Sequence, residues 1–142
     1  KDYRNVLKKP NPILDDDIIE KTCKIDYNAA EQDAYRNSLV EILLCLSYAY
    51  IELRHYSCAL ECLNECITYA DDLFPDIYFR RSQALTYNKY TEVDKLFIAL
   101  GDVRKAILMK QDKIYLEHEK IVMSLIEERK RKDSEMIKSK YN

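Results

Sequence analysis

The chain is 142 residues long, the size of one ordinary domain with a shared hydrophobic core. It contains one Gly and three Pro, with 34% charged and 47% hydrophobic residues, a composition that predicts a nearly all-helical protein. The net charge of −2 argues against the broad basic field of a nucleic-acid-binding domain. No apolar run reaches the roughly 18 residues that cross a bilayer, because Glu41 and Glu52 interrupt the longest one, residues 39–53.

The first part of the chain predicts little regular structure. Residues 1–12 are polar and contain an Asn-Pro step, which predicts a loop. Three aspartates from Asp15 onward offer an N-cap and favourable first-turn charges for a short helix that ends near Ile25. The chain begins at Lys1 without Met, so we expect its true start to lie upstream.

Helical spacing of apolar residues predicts the remaining elements. The predicted helices cover residues 29–53, 56–69, 77–87, 95–109 and 112–138. Asn28 is the expected N-cap of the first of these helices, Arg54 and His55 form the tight turn after it, and Pro75 fits a helix start. The segment 128–140 has almost no apolar face, so we expect the end of the last helix to project as a solvated stalk.

Two sets of positions in this helical region repeat. The set Leu43, Leu46, Ser47, Tyr50 recurs 35 residues later as Tyr78, Arg81, Ser82, Leu85, and the set Ala59, Leu63, Cys66 recurs 40 residues later as Ala99, Val103, Ala106. Both sets combine large and small residues at matching positions, and small residues let paired helices approach closely. This pattern resembles the tetratricopeptide repeat, whose period is about 34 residues.

The resemblance implies an all-α fold, a right-handed tetratricopeptide-repeat (TPR) superhelix of antiparallel helix pairs with a long C-terminal capping helix. Residues 1–38 would be a degenerate or truncated first repeat, and residues 39–74 a complete repeat. Residues 75–111 would be a second repeat with a lengthened turn at 88–94, and residues 112–142 the capping helix and charged tail. Repeats of this kind present a concave peptide-binding surface, so the sequence predicts a binding module.

Three segments indicate which type of TPR protein the chain resembles: 50–67 (YIELRHYSCALECLNECI), 77–84 (IYFRRSQA) and 98–107 (IALGDVRKAI). They resemble the co-chaperone domain of large immunophilins, the FK-binding and cyclophilin types of peptidyl-prolyl isomerase, and of the related aryl-hydrocarbon-receptor-interacting protein. In that family the repeats bind the acidic tail, ending Glu-Glu-Val-Asp, of a cytosolic heat-shock chaperone. The resemblance implies a cytoplasmic co-chaperone module without catalysis or cofactor, with an isomerase domain N-terminal to Lys1.

The resemblance also assigns the residues of a peptide clamp. Arg80 lies at the family's clamp arginine, whose guanidinium binds carboxylates in a bidentate manner, although a solvated surface role is equally open. Asp76 occupies the place of the family's clamp lysine, and Cys45 that of an asparagine. Both departures weaken the case for an acidic ligand, because a carboxylate repels it and a thiol is a poor donor. The alternative is a TPR scaffold that binds a different peptide.

Further residues are weaker candidates for the same groove. Tyr48 and Tyr87 would line it for an extended or helical peptide of mixed polarity, although core packing explains most tyrosines equally well. Arg81, Arg104 and Lys105 would supply compensating positive charge, although each is explained more simply as a solvated residue. The oligomeric state stays open, and self-association through the last helix is a further hypothesis.

Five cysteines raise the hypothesis of a metal or redox site. Cys58, Cys62 and Cys66 share one helical stripe, and His55 is the only nearby imidazole. Structural zinc prefers paired ligands with closer spacing, so the sequence favours core packing and predicts no metal. Both His55 and His118 are placed poorly for a Cys–His pair, which weighs against an enzyme or redox sensor.

Overall fold

The computed structural model describes residues 29–70 and 74–141. Within these residues there is no β-strand, and the helices are α1 (Ala29–Glu52), α2 (Tyr56–Tyr69), α3 (Pro75–Tyr87), α4 (Val93–Met109) and α5 (Lys113–Tyr141). The predicted all-α class is therefore confirmed for the described part of the chain. The predicted loop 1–12, the short helix after it and most of the truncated repeat 1–38 lie outside the described residues.

The turn between α1 and α2 is tight, as predicted. Arg54 adopts a left-handed φ of 61°, which reverses the chain. Its amide donates to the carbonyl of Ile51 at 3.0 Å, and the amide of His55 donates to the carbonyl of Tyr50 at 2.8 Å. These bonds satisfy carbonyl groups that the end of α1 would otherwise leave open. At the next helix start, Pro75 begins α3 without an amide N–H that needs a partner.

The five helices form two layers. Each helix packs against the next one in the chain, and α1–α3 and α3–α5 also touch. The helices α1, α3 and α5 therefore lie side by side in one layer, while α2 and α4 form the other. Stacked helix pairs in a solenoid produce this pattern of neighbours, and the arrangement is compatible with a TPR-like fold.

The small residues of the repeated pattern lie where helices meet. Ser47, Ala59, Cys66, Ser82, Ala99 and Ala106 all have 0% relative exposure. Side chains this small allow neighbouring helix backbones to approach closely, and a larger one would separate them. The packing role that the sequence assigned to these positions is confirmed.

The connection between α3 and α4 is fixed by the last helix. Arg129 of α5 donates through its two terminal guanidinium nitrogens to the carbonyls of Lys89 and Thr91, each at 2.8 Å. These two hydrogen bonds therefore connect α5 to the loop between α3 and α4. Residues 131–141 of α5 are all exposed. The predicted stalk exists, but it begins after Lys130 and not at residue 128, because Arg129 and the Lys130–Phe97 contact still belong to the packed body.

Replacing Gly101 with Ala is expected to stabilise the protein by up to about 1 kcal/mol, because glycine is a poor helix former. Gly101 is exposed within α4, and a Cβ built there meets no atom within 4 Å. Thermal unfolding followed by circular dichroism should show a higher Tm than wild type. An unchanged or lower Tm would contradict this expectation.

Candidate functional site

An open cleft of about 520 Å³ crosses the layer formed by α1, α3 and α5. Its lining combines apolar and charged side chains: Glu41, Leu44, Phe74, Pro75, Asp76, Phe79, Arg80, Lys110, Asp112, Ile114 and Tyr115. The spacing of Asp76, Phe79 and Arg80 along α3 places these side chains on one helix face, which is the face turned to the cleft. A lining that combines apolar and charged side chains is the usual chemistry of a peptide or ligand site.

Arg80 and Lys110 are the two basic residues in the lining of this cleft, and Arg80 is held by contacts with its neighbours. Its guanidinium carbon lies 4.3 Å from the centroid of the Tyr48 ring on α1. At this distance the negative face of the ring attracts the positive charge of the guanidinium. One terminal nitrogen donates to the Gln83 side-chain oxygen at 3.1 Å. Among the described residues, Arg80 makes no ion pair with a carboxylate. Its charge and most of its donors are therefore open to a ligand.

Asp76 is engaged by a neighbour that the sequence analysis did not identify as a site residue. The hydroxyl of Tyr115 on α5 donates to an Asp76 carboxylate oxygen at 2.6 Å. Tyr115 is only 4% exposed. Burial has the larger effect in raising the pKa of its phenol, and the hydrogen bond to Asp76 raises it further. Tyr115 also packs against Phe79, with ring centroids 4.7 Å apart. The Asp76 carboxylate is thus held in place by a hydrogen bond from α5.

A second cleft, of about 440 Å³, continues along the seam between α3 and α5. It is lined by Thr86, Tyr87, Lys120, Ile121, Ser124, Leu125 and Glu128. The Tyr87 hydroxyl accepts from the Gln83 amide at 3.3 Å, so a chain of side-chain contacts runs along α3 from Arg80 to Tyr87. The residues that α3 contributes to the two clefts lie on one face of this helix.

The predicted groove residues divide between two sides of the molecule. The structure brings Arg80, Asp76, Tyr48 and Tyr87 to the face formed by α1, α3 and α5. Cys45 is exposed on α1 but lines neither of these two clefts.

Arg81 points away from the groove residues, into the junction of α2, α3 and α4. It makes a bidentate ion pair with Asp102 of α4, with both N···O distances 2.7 Å, and donates to Asn64 of α2 at 3.3 Å. The hydrogen bonds to Asp102 raise the pKa of the Arg81 guanidinium. Burial acts in the opposite direction and has the smaller effect. The alternative of a solvated Arg81 is wrong, since a helix junction holds this side chain.

Below the cleft face, His118 links three helices. Its Nε2 lies 3.0 Å from the Ser82 hydroxyl, which donates its own proton to the Ala99 carbonyl at 2.7 Å. Because the Ser82 hydroxyl gives its proton to the Ala99 carbonyl, Nε2 of His118 is assigned as the donor in the contact between them. Burial lowers the pKa of His118 from 6.5 to about 4. The imidazole also meets the rings of Phe79 and Tyr87 edge-on, which orients α3 against α5.

The cysteine stripe is part of the core. Cys62 and Cys66 are buried, Cys58 is half-buried, and Cys23 lies outside the described residues. Burial raises the pKa of the Cys66 thiol to about 12, so it stays protonated at neutral pH and is a poor nucleophile. The predicted packing role is confirmed for Cys62 and Cys66. In the described segments, no group of His, Cys, Asp and Glu residues is arranged to hold a metal ion.

Comparisons of the chain with protein-family models, with curated proteins and with solved structures find no match. Over residues 29–70 and 74–141, none of the helices is both long and apolar enough to cross a membrane.

Proposed function

We propose that this chain is a protein-interaction module of the TPR type, which binds a peptide segment of a partner protein in the cleft between α1, α3 and α5. Binding is an equilibrium process without a covalent step. The repeated small residues and the two-layer helix order support the repeat type. The open cleft, lined by both apolar and charged side chains, supports a peptide as ligand.

The observation that carries this proposal is the state of Arg80. A half-buried guanidinium that stacks on Tyr48 and lacks a carboxylate partner among the described residues is prepared to accept one from a ligand. The tyrosine fixes the side chain before the ligand arrives, which lowers the entropy cost of binding.

Arg80 also favours a second, narrower candidate: the acidic C-terminal tail of a heat-shock chaperone. In that case the chain would be the cytoplasmic co-chaperone arm of an immunophilin-like protein whose isomerase activity lies in a separate domain. The resemblance in segments 50–67, 77–84 and 98–107 supports it. The carboxylates of Glu41, Asp76 and Asp112 on the cleft rim oppose an entirely acidic ligand.

Replacing Arg80 with Ala is expected to weaken peptide binding at least about tenfold, because the ligand carboxylate loses a charge-assisted donor pair. The measurement is a fluorescence-anisotropy titration with a labelled peptide ending Glu-Glu-Val-Asp, and with peptides of mixed charge. The chaperone-tail candidate expects a micromolar Kd, about −8 kcal/mol, for the acidic peptide.

Arg131→Ala is the matched control, since Arg131 is exposed on the projecting end of α5, away from the cleft. Equal loss in both variants would indicate nonspecific charge attraction and contradict the role of Arg80. Failure of the acidic peptide alone would remove the chaperone-tail candidate and leave the interaction module.

A further inference from the structure

Asp76 and Arg80 lie one turn apart on α3 but do not pair with each other. Opposite charges at positions i and i+4 of a helix are ordinarily within reach of each other. Here Tyr115 of α5 holds Asp76 at 2.6 Å, while Tyr48 of α1 holds the Arg80 guanidinium at 4.3 Å. No ion pair joins the two within the described part of the chain. The cleft therefore presents a positive and a negative group that are held apart.

Both groups keep unused binding capacity. The guanidinium of Arg80 gives one of its N–H groups to Gln83, and the carboxylate of Asp76 accepts one bond from Tyr115. A guanidinium and a carboxylate each form several hydrogen bonds, so each group here has room for a ligand. Both lie half-buried at the same open cleft, where a charged contact is screened less than on an exposed surface.

From this separation we propose that the cleft selects a peptide carrying both an acidic and a basic side chain, with the acidic one on Arg80 and the basic one on Asp76. The inference rests on the proposed function and specifies its ligand class. A ligand with acidic groups alone would bring a carboxylate against Asp76, and a ligand with basic groups alone would bring a cation against Arg80. At these two positions, each leaves one like-charge contact that the mixed ligand avoids.

Helix geometry sets the spacing of the two ligand charges. Residues four apart on a helix are separated by about 6 Å along its axis, from a rise of about 1.5 Å per residue. An extended peptide advances roughly 3.3 Å per residue, and alternate side chains share one face. An acidic and a basic residue at positions i and i+2 of an extended ligand match this axial separation of the two backbone positions, as in Glu-x-Lys in one of its two directions, and the test uses this spacing.

The test uses four pools of labelled nonapeptides with randomised apolar flanks and a fixed central triplet. The triplets are Glu-Ala-Lys, Lys-Ala-Glu, Glu-Ala-Glu and Lys-Ala-Lys, titrated by fluorescence anisotropy against the whole chain. One mixed pool is expected to bind about tenfold more tightly than both pools of single sign. Asp76→Asn should remove this preference, since the amide oxygen still accepts from Tyr115 but the negative charge is gone.

A charge-swapped variant, Asp76→Lys with Arg80→Glu, should prefer the opposite mixed pool. Asp133→Asn and Arg131→Gln, both on the exposed end of α5, are the matched controls and should leave the preference unchanged. Far-UV circular dichroism checks that each variant is folded.

Two results would overturn the inference, and they differ in what else they affect. If the acidic pool binds best and depends on Arg80, the selection of mixed charge is wrong while the interaction module stands. If no pool binds the wild-type chain, both the inference and the proposed peptide-binding function are wrong.

Discussion

Replacing Asp102 with Ala is expected to lower the free energy of unfolding by about 3 kcal/mol, because it leaves the Arg81 guanidinium without its carboxylate at a helix junction. The Asp102 side chain is 7% exposed and that of Arg81 is 25% exposed, so solvent compensates only part of the loss. Both N···O distances are 2.7 Å, the geometry of a strong bidentate pair. Urea unfolding followed by circular dichroism measures the change.

The exposed pair Arg104–Glu119 provides the matched control. Its N···O distance is 3.1 Å, and the two side chains are 52% and 25% exposed. Glu119→Ala should cost less than about 1 kcal/mol, since solvent screens such pairs. The double replacement Arg81→Met with Asp102→Leu should cost less than Asp102→Ala alone, because no buried charge remains unpaired. Equal costs for Asp102→Ala and Glu119→Ala would contradict the structural role of this ion pair.

Arg80 and Arg81 show how far the sequence can distinguish a residue that faces a binding cleft from a residue that packs between helices. They are neighbours in the chain, and both were candidates for a groove. Arg81 stands 35 residues after Leu46, within the repeated pattern that predicts contacts between paired helices. That register indicates an interior role, whereas arginine as a residue type is ordinarily exposed to solvent. The carboxylate that makes burial possible, Asp102, lies 21 residues further along the chain.

Local patterns predicted the helices and their small contact residues because those depend on neighbours within a few turns. The contacts that shape the cleft depend on side chains far apart in the chain. Tyr115 and Asp76 are 39 residues apart, and Arg129 reaches a carbonyl 38 residues away. Helical spacing marks Tyr115 only as one more apolar residue of the last helix. Its hydroxyl bond to Asp76 follows from the packing of α5 on α3, which no local pattern predicts.

The role of His118 also depends on contacts between residues that are far apart in the chain. The sequence places it on the last helix, where spacing alone does not distinguish a solvated imidazole from a buried one. In the structure it is 3% exposed and forms the polar contact between Ser82 of α3 and the helix that carries it. A buried neutral histidine at a helix junction makes the free energy of unfolding depend on pH. The pKa values of the histidine in the folded and unfolded states set the pH range of this dependence.

Lowering the pH from 7 to 4 is expected to remove about 3 kcal/mol of stability through His118 alone. Its pKa is about 4 in the folded state and 6.5 as an unperturbed group. Above pH 6.5 neither state binds the proton, so the stability is fully present. Between pH 6.5 and 4 the unfolded state is protonated and the folded state is not, so the free energy of unfolding falls by about 1.4 kcal/mol per pH unit. Below pH 4 both states are protonated, and this contribution no longer changes.

Carboxylates also titrate near the lower end of this range, so the measurement is a difference between variants. His118→Gln keeps a side-chain donor for the Ser82 hydroxyl but cannot take up the proton. Urea unfolding at a series of pH values should show a shallower decline for His118→Gln than for wild type between pH 6.5 and 4. The exposed histidine at position 55 provides the control, and His55→Gln should keep the wild-type slope. Parallel curves for wild type and His118→Gln would mean that the folded state accommodates the imidazolium, contrary to its burial between Phe79, Tyr87 and Ser82.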